Sequence, residues 1–496
     1  MHGGLKLEPH KAESTREPIL RGPRPSELVL PLAQHMGAAA KARVAVGDHV
    51  ARGQPLADAD GYLSAPVHAP ASGTVVAIEP RRIAHPSGLA TPCIVLETDA
   101  ADHDWDGLHA HPQWRDLTPE QVRTLVRDAG IVGLGGAAFP THVKLNPALT
   151  VDTLVLNGAE CEPYISCDDR LMRERAAQVV AGAEILLHAL QAKRCVIAIE
   201  EDKPEAIAAI KTGIAAQRRR SNTSDFDLAL EVVPAIYPQG GERQLIATVT
   251  GRRVPSGGLP LNVGVVCHNV ATAAAVAAAV LDGEPLTRRV VTMTGDAMAA
   301  PRNVDALYGT PVSALIAACG GYDAPVDRLV MGGPMMGFAL PGDDVPVVKA
   351  MNCILAESDA IAAQRRRSVK QVQPCIRCTA CEDACPAELL PQQLHWFARA
   401  RDFDQARDHA LFDCIECGVC DAVCPSDIPL AAQFRWAKAE IRARDDERSR
   451  AELAKHRFEA RAQRLADEKR EREERLKKKQ DPAAIEAALA RVKASR

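Results

Sequence analysis

At 496 residues the chain has room for about three or four domains, and its 47% hydrophobic and 25% charged content excludes a disordered or fibrous protein. A net charge of −4 provides no general attraction to nucleic acid, which is set aside as a partner. The most apolar run, 265–281, contains His268 and Asn269 and is too short to span a bilayer; the opening Met1, His2, Gly3 and Gly4 do not make a signal peptide, so a soluble, cytoplasmic chain is expected.

Residues 1–27 are rich in proline, arginine and lysine and read as an arm laid over another domain. From 28 to 100 short strands are punctuated by Gly47, Gly53 and Pro55, then by Pro66, Pro70 and Gly73. This pattern resembles the barrel-sandwich hybrid of biotinyl and lipoyl carrier domains. Those carry a modified lysine on a hairpin, and 57–70 has no lysine, so a docking module is expected rather than a carrier. His68 is expected to brace the turn, not to bind a metal.

Residues 113–285 alternate strand and helix, the pattern of a parallel sheet covered on both faces. Thr118 and Gln121 form a capping box with Pro119 at the first helical position. Val122, Leu125, Val126 and Ala129 make that helix's apolar stripe, which Gly130 ends. Strands are expected at 153–156, 195–199 and 228–233, and helices at 169–190 and 203–218. Ligands of such sheets sit beyond the C-terminal strand ends, where 157–163, 200–202 and 239–242 bring polar groups to one edge.

Upstream, Gly133, Gly135 and Gly136 followed by Lys144 could form an anion nest with one added charge, although such a cluster is as often a plain turn. It is not a dinucleotide fingerprint, because no strand leads into it and the spacing differs.

The loop Gly-x-Gly-Gly-Ala-x-Phe-Pro-Thr-x-x-Lys at 133–144 resembles the flavin loop of the NADH-binding flavoprotein subunit of respiratory complex I. Asn157, Glu160, Glu162 and Pro163, then Gly240 and Glu242, then Asn269 and Thr272 follow that family's later motifs in order. The resemblance implies non-covalent FMN held by Gly133, Gly135, Gly136, Lys144, Asn157, Asn269 and Thr272. It implies Glu160, Glu162 and Glu242 on the nicotinamide side, with NAD(H) as substrate. Two positions depart from the family pattern: Ala159 and Gly241 stand where it has acidic residues.

Residues 286–345 resemble the soluble-ligand-binding β-grasp (SLBB) unit that follows such flavin domains, with Met335 and Met336 expected in its core. Arg365, Arg366 and Arg367 read as a solvated linker into a cluster domain at 360–440. That domain holds two C-x2-C-x2-C-x3-C-P runs, Cys375, Cys378, Cys381, Cys385 and then Cys414, Cys417, Cys420, Cys424. Zinc sites pair two C-x2-C halves and leave no use for the longer run. The runs resemble those of bacterial two-cluster ferredoxins, where the fourth cysteine of each ligates the other [4Fe–4S] cluster. The expected sets are Cys375, Cys378, Cys381 and Cys424 for one cluster, and Cys385, Cys414, Cys417 and Cys420 for the second. Ile376 and Ile415 are expected to shield them, and Gly418 to allow close backbone approach.

The other seven cysteines (Cys93, Cys161, Cys167, Cys195, Cys267, Cys319 and Cys353) read as free thiols in a reducing compartment. Residues 441–496 form a charged helical tail. After the helix start at Asp481 and Pro482, its stripe of Ile485, Leu489 and Val492 is as readily solvated as partner-binding.

The fold class is thus multidomain α/β: a barrel-sandwich hybrid, a Rossmann-like flavin domain with a parallel sheet, an SLBB-like β-grasp, a two-cluster ferredoxin-type α-helical domain and a charged tail. This order resembles the C subunits of the Rnf (Rsx) family of ion-translocating electron transport complexes. It implies a peripheral subunit on the cytoplasmic face of the inner membrane, beside subunits A, B, D, E and G. Such a subunit passes electrons between NAD(H) and ferredoxin, or a ferredoxin-type subunit, through FMN and two [4Fe–4S] clusters. The alternatives are a soluble flavin and iron–sulfur reductase, such as a cobalamin reductase, or an electron-transfer adaptor with a vestigial flavin site.

Overall fold

The computed structural model describes residues 2–107, 109–220, 226–359, 372–480 and 482–495. The arginines at 365–367 and Asp481 lie outside the described residues.

The centre of the chain is a four-stranded parallel sheet in the order Asp227–Val233, Arg194–Glu200, Thr153–Gly158, Val265–Asn269. Its strands are apolar on both faces because both are covered. Leu154, Leu156, Ile197 and Ile199 join the core that includes the helices Cys167–Leu190 and Pro204–Arg220. Val155, Ala198 and Val265 pack with Leu245 and Ile246 of the helix Glu242–Thr250. Each large aliphatic side chain fully buried here contributes about 1.5–3 kcal/mol. The long helix meets Val270–Ala277 so closely that a Cβ on Gly182 would lie 1.9 Å from the Ala273 carbonyl oxygen. Thr118 caps the helix Pro119–Asp128 through the reciprocal Gln121 contact that its sequence predicts.

The sandwich consists of a four-stranded sheet (Glu27–Pro31, Ala90–Thr98, Gly73–Arg82, His49–Val50) and a three-stranded one (Lys41–Ala42, Pro55–Asp58, Val67–His68). It abuts the flavin domain at Gly130, whose φ is +69° and where a Cβ would meet Pro66 O at 2.7 Å and His68 Nδ1 at 3.2 Å. Fully buried Lys349 bridges the junction, its Nζ donating to Pro66 O (2.9 Å) and Gly130 O (2.8 Å). Burial, with no carboxylate partner, pulls Lys349 down to about 7. His68 is buried beside it and drawn down to about 3, first by burial and then by Lys349.

The third sheet has six strands in the order Leu20–Arg21, Arg302–Leu307, Arg288–Thr294, Cys353–Ser358, Val326–Met331, Phe338–Ala339. It therefore reaches past the boundary of 345 expected from sequence. Cys353–Ser358 supplies an inner strand because it pairs with both Arg288–Thr294 and Val326–Met331.

The N-terminal arm supplies another strand and links three units. Gly4 N donates to Ala384 O (2.9 Å), Leu5 and Tyr237 exchange backbone hydrogen bonds (2.8 Å each), and Tyr164 N donates to Pro9 O (2.8 Å). Further on, Asn303 Nδ2 donates to Ser14 O (2.9 Å), and Leu20–Arg21 pairs parallel with 304–305.

The last unit packs Leu394, Phe403, Leu411, Ile428, Phe434 and Ile441 between the helices Pro391–Ala400, Phe403–Asp408 and Leu430–Gln480. Most of the 51-residue helix is exposed beyond Ile441. In the following helix, Pro482–Ala494, Ile485, Leu489 and Val492 are all exposed. Among the described residues no helix is long and apolar enough to cross a membrane.

Candidate flavin and iron–sulfur sites

The two cysteine runs wind alike. Arg377, Thr379 and Glu388 in the first, and Glu416, Gly418 and Asp427 at the equivalent places in the second, all have positive φ between 51° and 75°. This winding turns three sulfurs of a run toward one space. Cys375, Cys378, Cys381 and Cys424 line one cavity; Cys385, Cys414, Cys417 and Cys420 line another. Four thiols around each space fit a [4Fe–4S] cubane. Burial first, and then the neighbouring thiols, push Cys417 up to about 12, so four bare thiolates here would be costly without a cationic core.

The cavities differ in exposure. At the first, Cys378 is open to solvent and Ile376 is 67% exposed, so Ile376 forms a rim and not the shield expected from sequence. At the second, Cys385, Cys417 and Cys420 are buried, and Ile415 packs in an apolar patch with Tyr237, Met335, Leu5 and Leu7. Met335 thus packs between domains, and Met336 is 48% exposed, which corrects its expected place in the core.

In the flavin domain the glycine loop is held by its backbone. Gly133 N donates to Phe139 O (2.8 Å), and Leu134 N donates to Thr272 Oγ1 (2.9 Å). Leu134 O accepts from Arg289 Nη2 (3.0 Å). Gly136 has φ +109° with open space where a side chain would point, and a Cβ on Gly135 would lie 3.4 Å from Asn269 Cβ. Such a loop can be approached closely by a ligand along its glycine edge. Thr272 is fully buried, and its hydroxyl fixes the loop.

Asn157 and Asn269 also shape backbone. Asn157 Nδ2 donates to Gly240 O (2.8 Å) while its Oδ1 accepts from Ala159 N (3.0 Å). Asn269 caps Val270–Ala277 by accepting from Ala271 N (2.8 Å) and donates to Asp168 Oδ2 (2.5 Å).

Lys144 Nζ donates to Glu242 Oε1 (2.7 Å) and Cys267 O (3.0 Å). Burial pulls this ammonium down, but Glu242 beside it outweighs that and holds it above its ordinary value. The three glutamates are held by different partners. Glu160 caps Cys167–Leu190, accepting from Asp168 N (2.8 Å) and Asp169 N (3.2 Å). Glu162 accepts from Met335 N (2.7 Å) and Met336 N (3.0 Å), and burial raises it despite those donors. Glu242 faces Lys144.

Ala159 is fully buried in the apolar layer with Leu245, and a Cβ on Gly241 would lie 2.5 Å from Gln244 Oε1. A glutamate at 241 would therefore require Gln244 to move.

Four residues went unnoticed in the sequence. Lys11 of the arm bonds the Glu160 carbonyl, and Asp168 is raised to about 7, by burial first and then by Glu160. Arg289 holds the loop, and Tyr237 OH donates to Cys417 O (2.7 Å), joining the flavin domain to the buried cavity. Tyr237 could have been noticed from its place just before the 239–242 segment; Lys11 carries no local signal.

Comparison with known proteins follows the same division. Residues 1–101 match the RnfC barrel sandwich hybrid domain, 126–278 the Nuo51 FMN-binding domain, 290–339 the SLBB domain and 374–428 the 4Fe-4S dicluster domain. The C subunit of the ion-translocating oxidoreductase complex of Serratia proteamaculans is 48% identical over 99% of this chain and 69% of its own length. That of Pectobacterium atrosepticum is 48% identical over 99% and 70%, and that of Vibrio cholerae 47% over 100% and 64%. The chain thus spans about two thirds of the length of these relatives. Among solved structures, an NAD+-reducing [NiFe]-hydrogenase in the H2-reduced state aligns with a TM-score of 0.48 and 20% identity, covering 67% of this chain and 62% of that one. Near 48% identity along the whole chain, with the four domain matches in sequence order, makes this chain a member of the family of C subunits of ion-translocating oxidoreductase complexes.

Proposed function

We propose that the chain is the peripheral electron-transfer subunit of a membrane-bound complex that couples electron exchange between NAD(H) and a ferredoxin-type partner to ion movement. The observation that carries this reading is the hydrogen-bonded, apolar contact of Tyr237 with the buried cysteine cavity, while the other cavity opens to solvent at Cys378. In this reading Cys385, Cys414, Cys417 and Cys420 would hold the cluster beside the flavin domain, and Cys375, Cys378, Cys381 and Cys424 the one at the exposed rim, where a partner could exchange single electrons with it. FMN, when bound, exchanges a two-electron hydride for single electrons, the step that no side chain here supplies.

In this reading Gly133, Gly135, Gly136 and Lys144 line the flavin phosphate and ribityl chain, and Thr272, Asn157 and Asn269 fix the backbone around it. Glu160, Glu162 and Glu242 border the nicotinamide side. The partners are subunits A, B, D, E and G of the complex, with the chain on the cytoplasmic face of the inner membrane.

Anaerobic purification with iron, sulfide and flavin assays, followed by NADH addition, tests the reading. About eight iron and eight sulfide per chain are expected, with FMN, and with both clusters reduced by NADH. A zinc-loaded protein without acid-labile sulfide would refute the cluster assignment. A flavin-free protein with intact clusters would support the adaptor instead.

A further inference from the structure

We propose that Tyr237 is a positioning residue that sets the potential of the cluster held by Cys385, Cys414, Cys417 and Cys420 and ties it to the flavin domain. This rests on the cluster reading above. Tyr237 is buried, and its hydroxyl donates to the carbonyl of Cys417 at 2.7 Å. A phenol has one proton to donate, and here it goes to the Cys417 peptide.

The repeat of the cysteine run gives this contact its meaning. Cys417 corresponds to Cys378, and the carbonyl of Cys378 accepts a hydrogen bond from Thr379 Oγ1 at 2.7 Å. The residue corresponding to Thr379 is Gly418, which has no side chain, a φ of +75° and room for the Met335 backbone against it. Both runs therefore receive a hydroxyl on the same carbonyl. In the exposed run it comes from the next residue; in the buried run it comes from another domain. Hydrogen bonds in the outer shell and the local dielectric are main controls on cluster potential. A donor on the ligand's peptide favours the reduced, more negative cluster. The buried cluster thus has its full potential only while docked on the flavin domain, and the exposed cluster is independent of docking.

The test compares the full-length wild type with Tyr237→Phe and Thr379→Val, each titrated with dithionite and followed by electron paramagnetic resonance. Tyr237→Phe keeps the ring and its packing. It should disfavour one-electron reduction of the buried cluster by about three- to tenfold, a shift of roughly 30–60 mV at 59 mV per tenfold, and leave the exposed cluster unchanged. Thr379→Val should do the reverse. Equal shifts of both clusters in Tyr237→Phe, lost iron, or no shift would overturn the proposal. Dithionite bypasses flavin and NADH, so a wild type that binds no flavin would defeat the flavin reading while the paired shifts still decide the role of Tyr237.

Discussion

Lys144→Ala separates a phosphate ligand from a surface ion pair. Lys144 is a third exposed and Glu242 somewhat more, so their pair adds only about 0–1 kcal/mol to stability, and the fold should survive. A lysine–phosphate contact is charge-assisted and worth roughly 1.5–3 kcal/mol, so loss of Lys144 should weaken FMN retention by about ten- to a hundredfold. Glu242→Gln acts in the opposite direction. It removes an acceptor competing for the ammonium, and up to about 1 kcal/mol released to the phosphate tightens retention by as much as about fivefold. The assay is flavin fluorescence and iron content on the same gel-filtered samples of wild type and both variants. Iron should not change, because the cysteine cavities belong to a separate core. Wild-type flavin content in Lys144→Ala, or equal losses in both variants, would refute Lys144 as a phosphate ligand.

Cys385→Ser should damage the cluster of Cys414, Cys417 and Cys420, and Cys424→Ser that of Cys375, Cys378 and Cys381, because each serine faces the other run's cavity. Spectra that resolve the two clusters check this; damage confined to each mutant's own run would rule out the crossing. Lys349, at about 7 folded and 10.5 unfolded, carries a penalty that is fully present below about pH 7 and fades as pH rises toward 10.5. Wild-type stability should therefore gain on the order of 2 kcal/mol between pH 7 and 9, and Lys349→Met should flatten that slope in chemical denaturation. A parallel slope in the mutant would mean that the amine is not the group titrating.

Motifs that carry their own chemistry were legible in the sequence. Two complete cysteine runs put thiols at fixed spacing, and the structure gathers them around two cavities; the capping box at Thr118 states its helix start locally. The parallel strands were readable because covering both faces makes a strand apolar throughout, as in Leu154, Val155 and Leu156. Contacts made across domains were less accessible. Nothing local to Met336 says that the chain turns it outward at the segment Glu162 holds, and Ile376 looks like a shield until its place on an open rim is seen. Thr272, placed by resemblance among the flavin's neighbours, has its hydroxyl committed to Leu134. Cys353–Ser358 lies beyond the expected end of its own sheet, because its pairing partners are distant in sequence.

The arm also constrains the order in which the molecule can be completed. Gly4 is made early, yet its amide can close onto Ala384 only after the intervening chain has left the ribosome. At about 5–20 residues per second that wait is on the order of twenty seconds to over a minute. During it Leu5 and Leu7 have no Cys417 or Val419 to cover, because that wall of the buried cavity has not yet been made. Covering of Cys417 and Val419 by the arm is therefore among the last contacts the growing chain can complete, and a chain cut short before Cys417 leaves Leu5 and Leu7 without those partners.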